Sequence, residues 1–557
     1  MPSRPPQTHR RQILKGAAAL GLAAALPRWS RLSAADAPAV VTDSKTKTNT
    51  KYNVLFIMSD DMRPELDFYG NPLVQSPNLA ALAKSGVMFE RGYCPFPLCC
   101  PSRSATLNGR HVIHTGVYSN RTWFGDIHPE FVSLPKYFMH NGYITMHSGK
   151  IFHGGIDDTE AWTEGGQVRS LAGAADPNAE MDIPLPPPGR TGVFGQAARG
   201  AAAAASPQTR PGGSDSIVVL QGNGENHGDY HAATQAVNYL RDYKGKYGDQ
   251  PFFMGFGTVK PHSPPTAPQK WFDAIDVNKI QLPADFAPSR KLPEGFPEGC
   301  LRPRNADLFI GRDASVEEAK LMTQAYYASV AWSDWNIGRV IDELDNLGLR
   351  ERTIVCFSAD HGYQLGEKGK WSKAGSLWEE GARIPLIISA PNAKGNGQTC
   401  KRIVQSMNFY PTLVELCGLP MPAGQEGQSM TKLLDDPKAE WNYPAYTIWS
   451  EDGASNNPIP NPTITGCGVR VERWRYADYV LGGPMLLDME NDPHQTKNLV
   501  HDPKYSEVAD KMAALIKQYK DGNAATAKAP VFSAAFQPGA PAAPATPAAS
   551  TPAKATA

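Results

Sequence analysis

Short apolar runs, each followed by polar residues, recur along this chain. Runs of this length and character predict strands that are buried on both faces, as in parallel sheets. The predicted strands cover residues 52–58, 143–147, 251–257, 353–358 and 384–389.

Apolar residues at helical spacing lie between these runs. The longest such segment, residues 316–347, has one apolar stripe formed by Ile337, Val340, Ile341 and Leu344. Residues 78–85 and 131–141 also predict helices. Strands that alternate with helices predict an α/β sandwich, a large mostly parallel sheet flanked by helices, over residues 48–435.

The pattern changes near Trp441. Shorter β-like pieces follow, among them residues 474–481, and residues 505–519 predict a last helix. This change indicates a small C-terminal α+β domain over residues 440–520. Residues 171–215, rich in Gly, Ala and Pro, predict a flexible insertion, and the Ala/Pro-rich residues 523–557 predict a disordered tail.

The N-terminus has the pattern of an export signal. Arg10 and Arg11 precede the apolar residues 16–26, and small residues follow at 33–37. Paired arginines followed by x-Ile-Leu-Lys favour a twin-arginine signal over residues 1–37. Eleven apolar residues are too few to span a bilayer, so we expect an exported protein, periplasmic or extracellular, without a stable membrane anchor in its mature form.

Charge and cysteine content exclude several classes of protein. The 557 residues carry 55 bases and 55 acids, and without the first 35 residues the formal charge is −6. Such a chain is not expected to bind nucleic acid, and an anionic substrate would need a local basic pocket. Eight cysteines without a CxxC pair indicate neither a disulfide framework nor a structural zinc site.

Polar clusters follow four of the predicted strands. The carboxyl ends of neighbouring parallel strands share one edge of a sheet, so these side chains are expected to converge on one crevice. Adjacent carboxylates repel unless a cation lies between them, and their oxygens suit calcium or magnesium. The clusters are Asp60-Asp61, Lys150 with His153, Lys260-Pro261-His262 and Asp360-His361.

A cysteine-containing segment carries the most specific pattern. Cys99-x-Pro101-Ser102-Arg103, followed by Leu107-x-Gly109-Arg110, resembles the signature of the type I sulfatases. The resemblance extends from Lys51 to about Pro503 and implies an alkaline-phosphatase-like sandwich with a C-terminal antiparallel sheet.

The resemblance implies a sulfuric ester hydrolase with a modified nucleophile. In this family a formylglycine-generating enzyme oxidises the cysteine, here Cys99, to 3-oxoalanine (formylglycine). One hydroxyl of the aldehyde hydrate attacks sulfur and expels the alcohol, and the other then collapses and releases sulfate.

The resemblance also implies roles for the clustered residues. Asp60, Asp61, Asp360 and His361 match the metal ligands, with the oxygen of residue 99 completing a shell for Ca²⁺ or, alternatively, Mg²⁺. Arg103 would orient the nucleophile and balance charge. Lys150 and His153 would lie beside it, with His153 as the base for the collapse step. His262 and Lys373 would face the leaving group.

Several blocks particularly resemble the iduronate 2-sulfatase branch of the family and imply a sulfated saccharide as substrate. They are Asp60 to Leu66, Gly149 to His153, Lys260 to His262, Asp360 to Glu367 and Trp371 to Lys373. Two alternatives stay open: a phosphonate or phosphodiester hydrolase of the same superfamily, and an inactive sugar-binding relative.

Overall fold

A seven-stranded sheet forms the centre of the protein. The computed structural model describes residues 51–169, 215–301, 307–451 and 462–540. The strands of this sheet are β1 (Asn53–Asp60), β2 (Val87–Tyr93), β3 (Ile144–Gly149), β5 (Phe252–Pro261), β7 (Thr353–Ala359), β8 (Arg383–Ser389) and β9 (Thr399–Gln405). A short pair, β4 (Val218–Leu220) with β6 (Thr266–Pro268), lies outside it.

The strand order is β3-β5-β1-β7-β8-β2-β9. β8 runs antiparallel to both of its neighbours, whereas the other pairs are parallel, which confirms the predicted mostly parallel sheet. The five predicted strands are present. β2 and β9 were not predicted, because charged residues interrupt their apolar pattern at Glu90, Arg91, Lys401 and Arg402.

Helices cover both faces of this sheet. Leu55 and Ile57 of β1 pack into one apolar core, while Val54, Phe56 and Met58 pack into another on the opposite face. This alternation follows from the two-residue period of a strand. The main helices are Pro77–Ser85, Cys99–Asn108, Leu134–His140, Gly228–Tyr247, Val316–Asn346, Phe409–Leu416 and Ser506–Lys520.

A four-stranded antiparallel sheet follows in the C-terminal part. Its strands are β10 (Ala445–Ser450), β11 (Ile464–Arg470), β12 (Trp474–Tyr479) and β13 (Gly483–Asp488), in that order. The helix Ser506–Lys520 packs on this sheet. Their common core also includes Phe96 and Leu98, so the segment that precedes Cys99 rests on the C-terminal part of the chain.

The first part of the predicted disordered tail is ordered. Residues 523–540 run over the C-terminal sheet and helix as a strap, in which Phe532 is buried. The Trp474 indole donates a hydrogen bond to the carbonyl of Phe536 at 2.9 Å, and Ala529 donates to Asn442 at 2.8 Å. The few aromatic residues in an otherwise Ala/Pro-rich segment anchor it. Residues 541–557, the signal segment 1–37 and the insertion up to residue 214 lie outside the described residues.

Among the described helices, none combines the length and the apolar character that crossing a bilayer requires.

Candidate active site

The predicted metal-ligating residues come from two adjacent strands. β1 pairs with β7 up to Ser59 and Ala359, so Asp60 and Asp61 end one strand beside Asp360 and His361. Asp61 has a φ of 61°, which turns the chain at this point, and its N–H donates to Asp360 Oδ1 at 3.3 Å. On the other side of β1, Asp60 pairs with Pro261, which brings His262 to the same edge.

Cys99 begins the helix Cys99–Asn108 and is 1% exposed. Its Sγ lies 3.3 Å from Asp60 Oδ1 and 3.4 Å from His361 Nε2. The Ser102 hydroxyl donates to the carbonyl of Asp360 and ties the helix to β7. Gly109 ends this helix with a φ of 61°, in the left-handed region that favours glycine, which explains the glycine in the motif.

Arg103 and Lys150 form ion pairs with the carboxylates of Asp360 and Asp60, respectively. The fully buried Arg103 donates from Nε to Asp360 Oδ2 at 2.8 Å and from Nη1 to the carbonyl of Ile151 at 3.0 Å. Lys150 Nζ donates to Asp60 Oδ2 at 2.5 Å. Lys150 follows directly on Gly149, where a Cβ would lie 2.0 Å from the carbonyl of Gly257, so that β3 and β5 approach closely at this edge.

Lys373 and His262 form a second group with Asp61. Lys373 Nζ lies 3.0 Å from both Asp61 Oδ2 and His262 Nε2. His262 Nδ1 lies 2.8 Å from the carbonyl of Ser263, which favours a proton on Nδ1 and leaves Nε2 to accept from Lys373. These three side chains are buried, and ligand atoms of Asp61 and His262 lie within 4.8 Å of Cys99 Sγ.

Neighbouring charges determine the ionisation of the carboxyl groups. Burial alone would raise the pKa of Asp60, but the charges of Lys150, His262 and Arg103 outweigh it and hold that pKa well below its usual value. Burial raises the pKa of Asp61 to about 7 although Lys373 and His361 oppose the change. A cation bound here would therefore compete with a proton on Asp61.

The donor set fits a divalent metal ion. Ligand atoms of Asp60, Cys99, Asp360 and His361 lie within 4.8 Å of one another. Asp61 Oδ1 is buried and accepts no well-directed hydrogen bond from the described residues, although His361 Nδ1 lies 3.2 Å away. His361 Nδ1 lies 3.0 Å from the carbonyl of Gly362, which favours a proton on Nδ1. The lone pair of Nε2 then faces the space between Asp60, Cys99 and Asp360 and is free to bind a metal ion.

His153 and Asp307 lie in the same region of the chain's fold as these clusters or contact them. His153, predicted as a base, is buried in the turn after β3. Asp307 was not predicted, since it follows no strand and belongs to no motif. Its Oδ2 nevertheless lies 3.8 Å from Lys373 Nζ, and the folded chain alone brings these two distant residues together.

A model of the sulfatase family matches residues 52–419, about two thirds of the sequence. This chain belongs to the sulfatase family. It is a sulfuric ester hydrolase, as predicted. A second model, of the C-terminal part of N-sulphoglucosamine sulphohydrolase, matches residues 366–522.

Alignments with related sequences cover most of this sulfatase. It is 31% identical to a sulfatase of Formosa agariphila, which aligns over 85% of this chain and 89% of the relative. It is 26% identical to human iduronate 2-sulfatase, over 83% of this chain and 94% of the relative.

Solved structures confirm the alkaline-phosphatase-like fold. An enzyme in complex with its substrate D-glucosamine-2-N,6-O-disulfate has a TM-score of 0.62 at 19% identity, over 86% of this chain and all of that one. A phosphonate monoester hydrolase of Agrobacterium radiobacter has a TM-score of 0.64 at 20% identity, over 85% of this chain and 96% of that one.

A model of twin-arginine signal sequences matches residues 7–27, which confirms the predicted export route.

Proposed function

We propose that this sulfatase removes sulfate from a sulfated carbohydrate, in the manner of iduronate 2-sulfatase, with formylglycine at position 99 and a bound divalent metal ion. The proposal rests mainly on the position of Cys99 beside the carboxyl ends of β1 and β7. Its Sγ is 3.3 Å from Asp60 Oδ1 and 3.4 Å from His361 Nε2.

The unmodified thiol is poorly suited to be the nucleophile. Burial, together with the charge of Asp60, raises the pKa of Cys99 well above its usual value, so the thiol stays protonated. A protonated thiol is a weak nucleophile. Oxidation to formylglycine by the maturation enzyme would supply instead an aldehyde hydrate, whose two hydroxyls allow attack on sulfur and later release of sulfate.

The balance of charge in the pocket suits a sulfate ester. Three carboxylates face three cations: Asp60 with Lys150, Asp61 with Lys373, and Asp360 with Arg103. Asp60, Asp61, Asp360 and His361 would hold the metal, which would supply positive charge where the sulfate oxygens bind. The pocket then becomes net cationic inside a chain whose overall charge is not, as expected for a substrate with one negative charge at the reacting group.

The remaining side chains take roles that follow from their positions. Arg103 and Lys150 keep the carboxylates oriented around position 99. Lys373 and His262 lie on the other side of Asp61 and would stabilise and protonate the departing oxygen. His153 would accept the proton when the second hydroxyl collapses.

The names of relatives support a carbohydrate substrate. Besides human iduronate 2-sulfatase, an ulvan-active sulfatase of Formosa agariphila is 26% identical over 84% of this chain. The protein of similar fold that binds D-glucosamine-2-N,6-O-disulfate has a sulfated amino sugar as its substrate.

The proposal is tested on protein produced with a formylglycine-generating enzyme. Mass spectrometry of the Cys99 peptide should show the aldehyde, and a panel of defined sulfated mono- and oligosaccharides should release sulfate. Cys99→Ala should abolish release, whereas the matched control Cys100→Ala should retain it, since Cys100 Sγ faces the carbonyl of Thr122 and not the metal cluster. An unmodified thiol in active protein would contradict the nucleophile.

The phosphonate hydrolase of similar fold makes a second activity worth measuring. An aryl sulfate and an aryl phosphodiester should be compared on the same preparation. A faster reaction with the phosphodiester would favour that alternative over the sulfatase reaction.

A further inference from the structure

Asp307 lies on the outer side of Lys373. The side chain of Asp307 is 16% exposed, that of Lys373 is 4% exposed and that of Asp61 is fully buried, so the ammonium lies between an inner and an outer carboxylate. We propose that Asp307 is a positioning residue that holds Lys373 against the leaving-group oxygen when the metal occupies Asp61. This inference rests on the proposed function.

Asp307 lies close enough to Lys373 to accept a hydrogen bond from its ammonium group after a small movement. Its Oδ2 is buried and finds no hydrogen-bond donor among the described residues, although Lys373 Nζ is only 3.8 Å away. Lys373 Nζ instead donates to Asp61 at 3.0 Å. A movement of Nζ by about 1 Å would bring it within hydrogen-bond distance of Asp307.

Metal binding at Asp61 Oδ1 would weaken the attraction of the Asp61 carboxylate for Lys373. A divalent cation bound to the Asp61 carboxylate would neutralise its negative charge and would repel the positively charged ammonium of Lys373. His262 Nε2 offers a neutral acceptor at 3.0 Å, but no compensating charge. Within the described part of the chain, Asp61 and Asp307 are the carboxylates within 4 Å of Lys373, so Asp307 is the anion that remains.

The backbone fixes the two residues relative to each other. The N–H of Leu308, next to Asp307, donates to the carbonyl of Trp371 at 3.3 Å, two residues before Lys373. The ring of Phe309 packs against that of Trp371 with centroids 5.0 Å apart. These two contacts hold the segment of Asp307 against the segment that carries Lys373.

The kinetic test compares two kinds of leaving group. Asp307→Asn keeps the shape of the side chain and removes its charge, and Asp307→Glu keeps the charge. With a sugar sulfate, whose alkoxide leaves poorly, kcat of Asp307→Asn should fall about 10- to 100-fold while KM changes little. With 4-nitrophenyl sulfate, which needs less help in leaving, the fall should be less than about threefold.

Two controls accompany this comparison. Asp313→Asn changes an exposed acid of the same segment and should leave both rates unchanged. Asp307→Glu should recover part of the rate on the sugar sulfate. Equal losses on the two substrates, or no loss on the sugar sulfate, would overturn the inference, because a merely structural role does not depend on the leaving group.

A structural measurement separates this inference from the proposed function. If the wild-type protein hydrolyses no sulfate ester, the proposed function fails, while crystals soaked with Ca²⁺ and inorganic sulfate still test Asp307. Lys373 Nζ should then lie within hydrogen-bond distance of Asp307 in the wild type and move away in Asp307→Asn. A Lys373 that stays on Asp61 in the calcium-loaded wild type would refute the inference.

Discussion

Glu379 offers a quantitative test of the contact between the two sheets. It begins the short helix Glu379–Ala382 before β8, and its carboxylate pairs with Arg475 of the C-terminal sheet. Tyr93 of β2 donates to Oε1 at 2.7 Å, and Arg470 Nε lies 3.7 Å from Oε2. Glu379→Gln keeps the size of the side chain and leaves the arginines without their anionic partner.

The pKa of Glu379 determines the size of the effect. Burial alone would raise this pKa, but Arg475, Arg470 and Arg383 outweigh it and lower it from 4.5 to about 2. This interval corresponds to about 3 kcal/mol of unfolding free energy. Because the folded-state pKa is depressed, this stabilisation is complete above pH 4.5 and is lost as the pH falls toward 2.

The assay is denaturant unfolding of both proteins between pH 3 and pH 7. The difference in unfolding free energy should be about 3 kcal/mol at pH 7 and should shrink steadily below pH 4.5, since glutamine resembles the protonated carboxyl. The other titrating groups are common to both proteins, so their contributions cancel in the difference between the two unfolding free energies. Glu351→Gln, at an exposed position, is the control and should change stability by less than about 0.5 kcal/mol. A difference that stays constant from pH 7 to pH 3 would refute the reasoning.

Three further outcomes are expected at the active site. Cys99→Ser should abolish turnover and leave the melting temperature unchanged unless the host oxidises serine, and full activity without an aldehyde would refute the nucleophile. Asp360→Ala should lose bound metal, measured by atomic emission after gel filtration, and an unchanged metal content would contradict its assignment as a ligand. Arg103→Met should destabilise the protein by about 3–5 kcal/mol in denaturant unfolding, because it leaves the buried Asp360 without its partner, and a change below about 1 kcal/mol would show that this pair matters little.

Local pattern was sufficient for the parts of the molecule that depend on neighbouring residues. The apolar runs identified five strands of the large sheet, and the polar pairs after them identified Asp60, Asp61, Asp360 and His361. This inference succeeded because parallel strands necessarily end at a common edge. The roles of these residues remain predictions, but their proximity is a property of the fold.

Local pattern failed where a contact joins segments far apart in the sequence. The helix Gly228–Tyr247 was not predicted, although its Asp229 accepts hydrogen bonds from the N–H groups of Val259 and Lys260 and so shapes the end of β5. The strap over residues 523–540 has the composition of a disordered tail, but Trp474 and a few apolar contacts order it.

The amino-acid sequence by itself was sufficient for the class of fold and the family, because the short-range period of apolar residues and a contiguous motif encode them. The same motif predicts Cys99 as the nucleophile. Only the tertiary structure decided that Asp307 faces Lys373 and that Glu379 joins Arg475. Each of these pairs links residues more than 60 positions apart, and no periodicity or motif relates such residues until the chain has folded around its sheet.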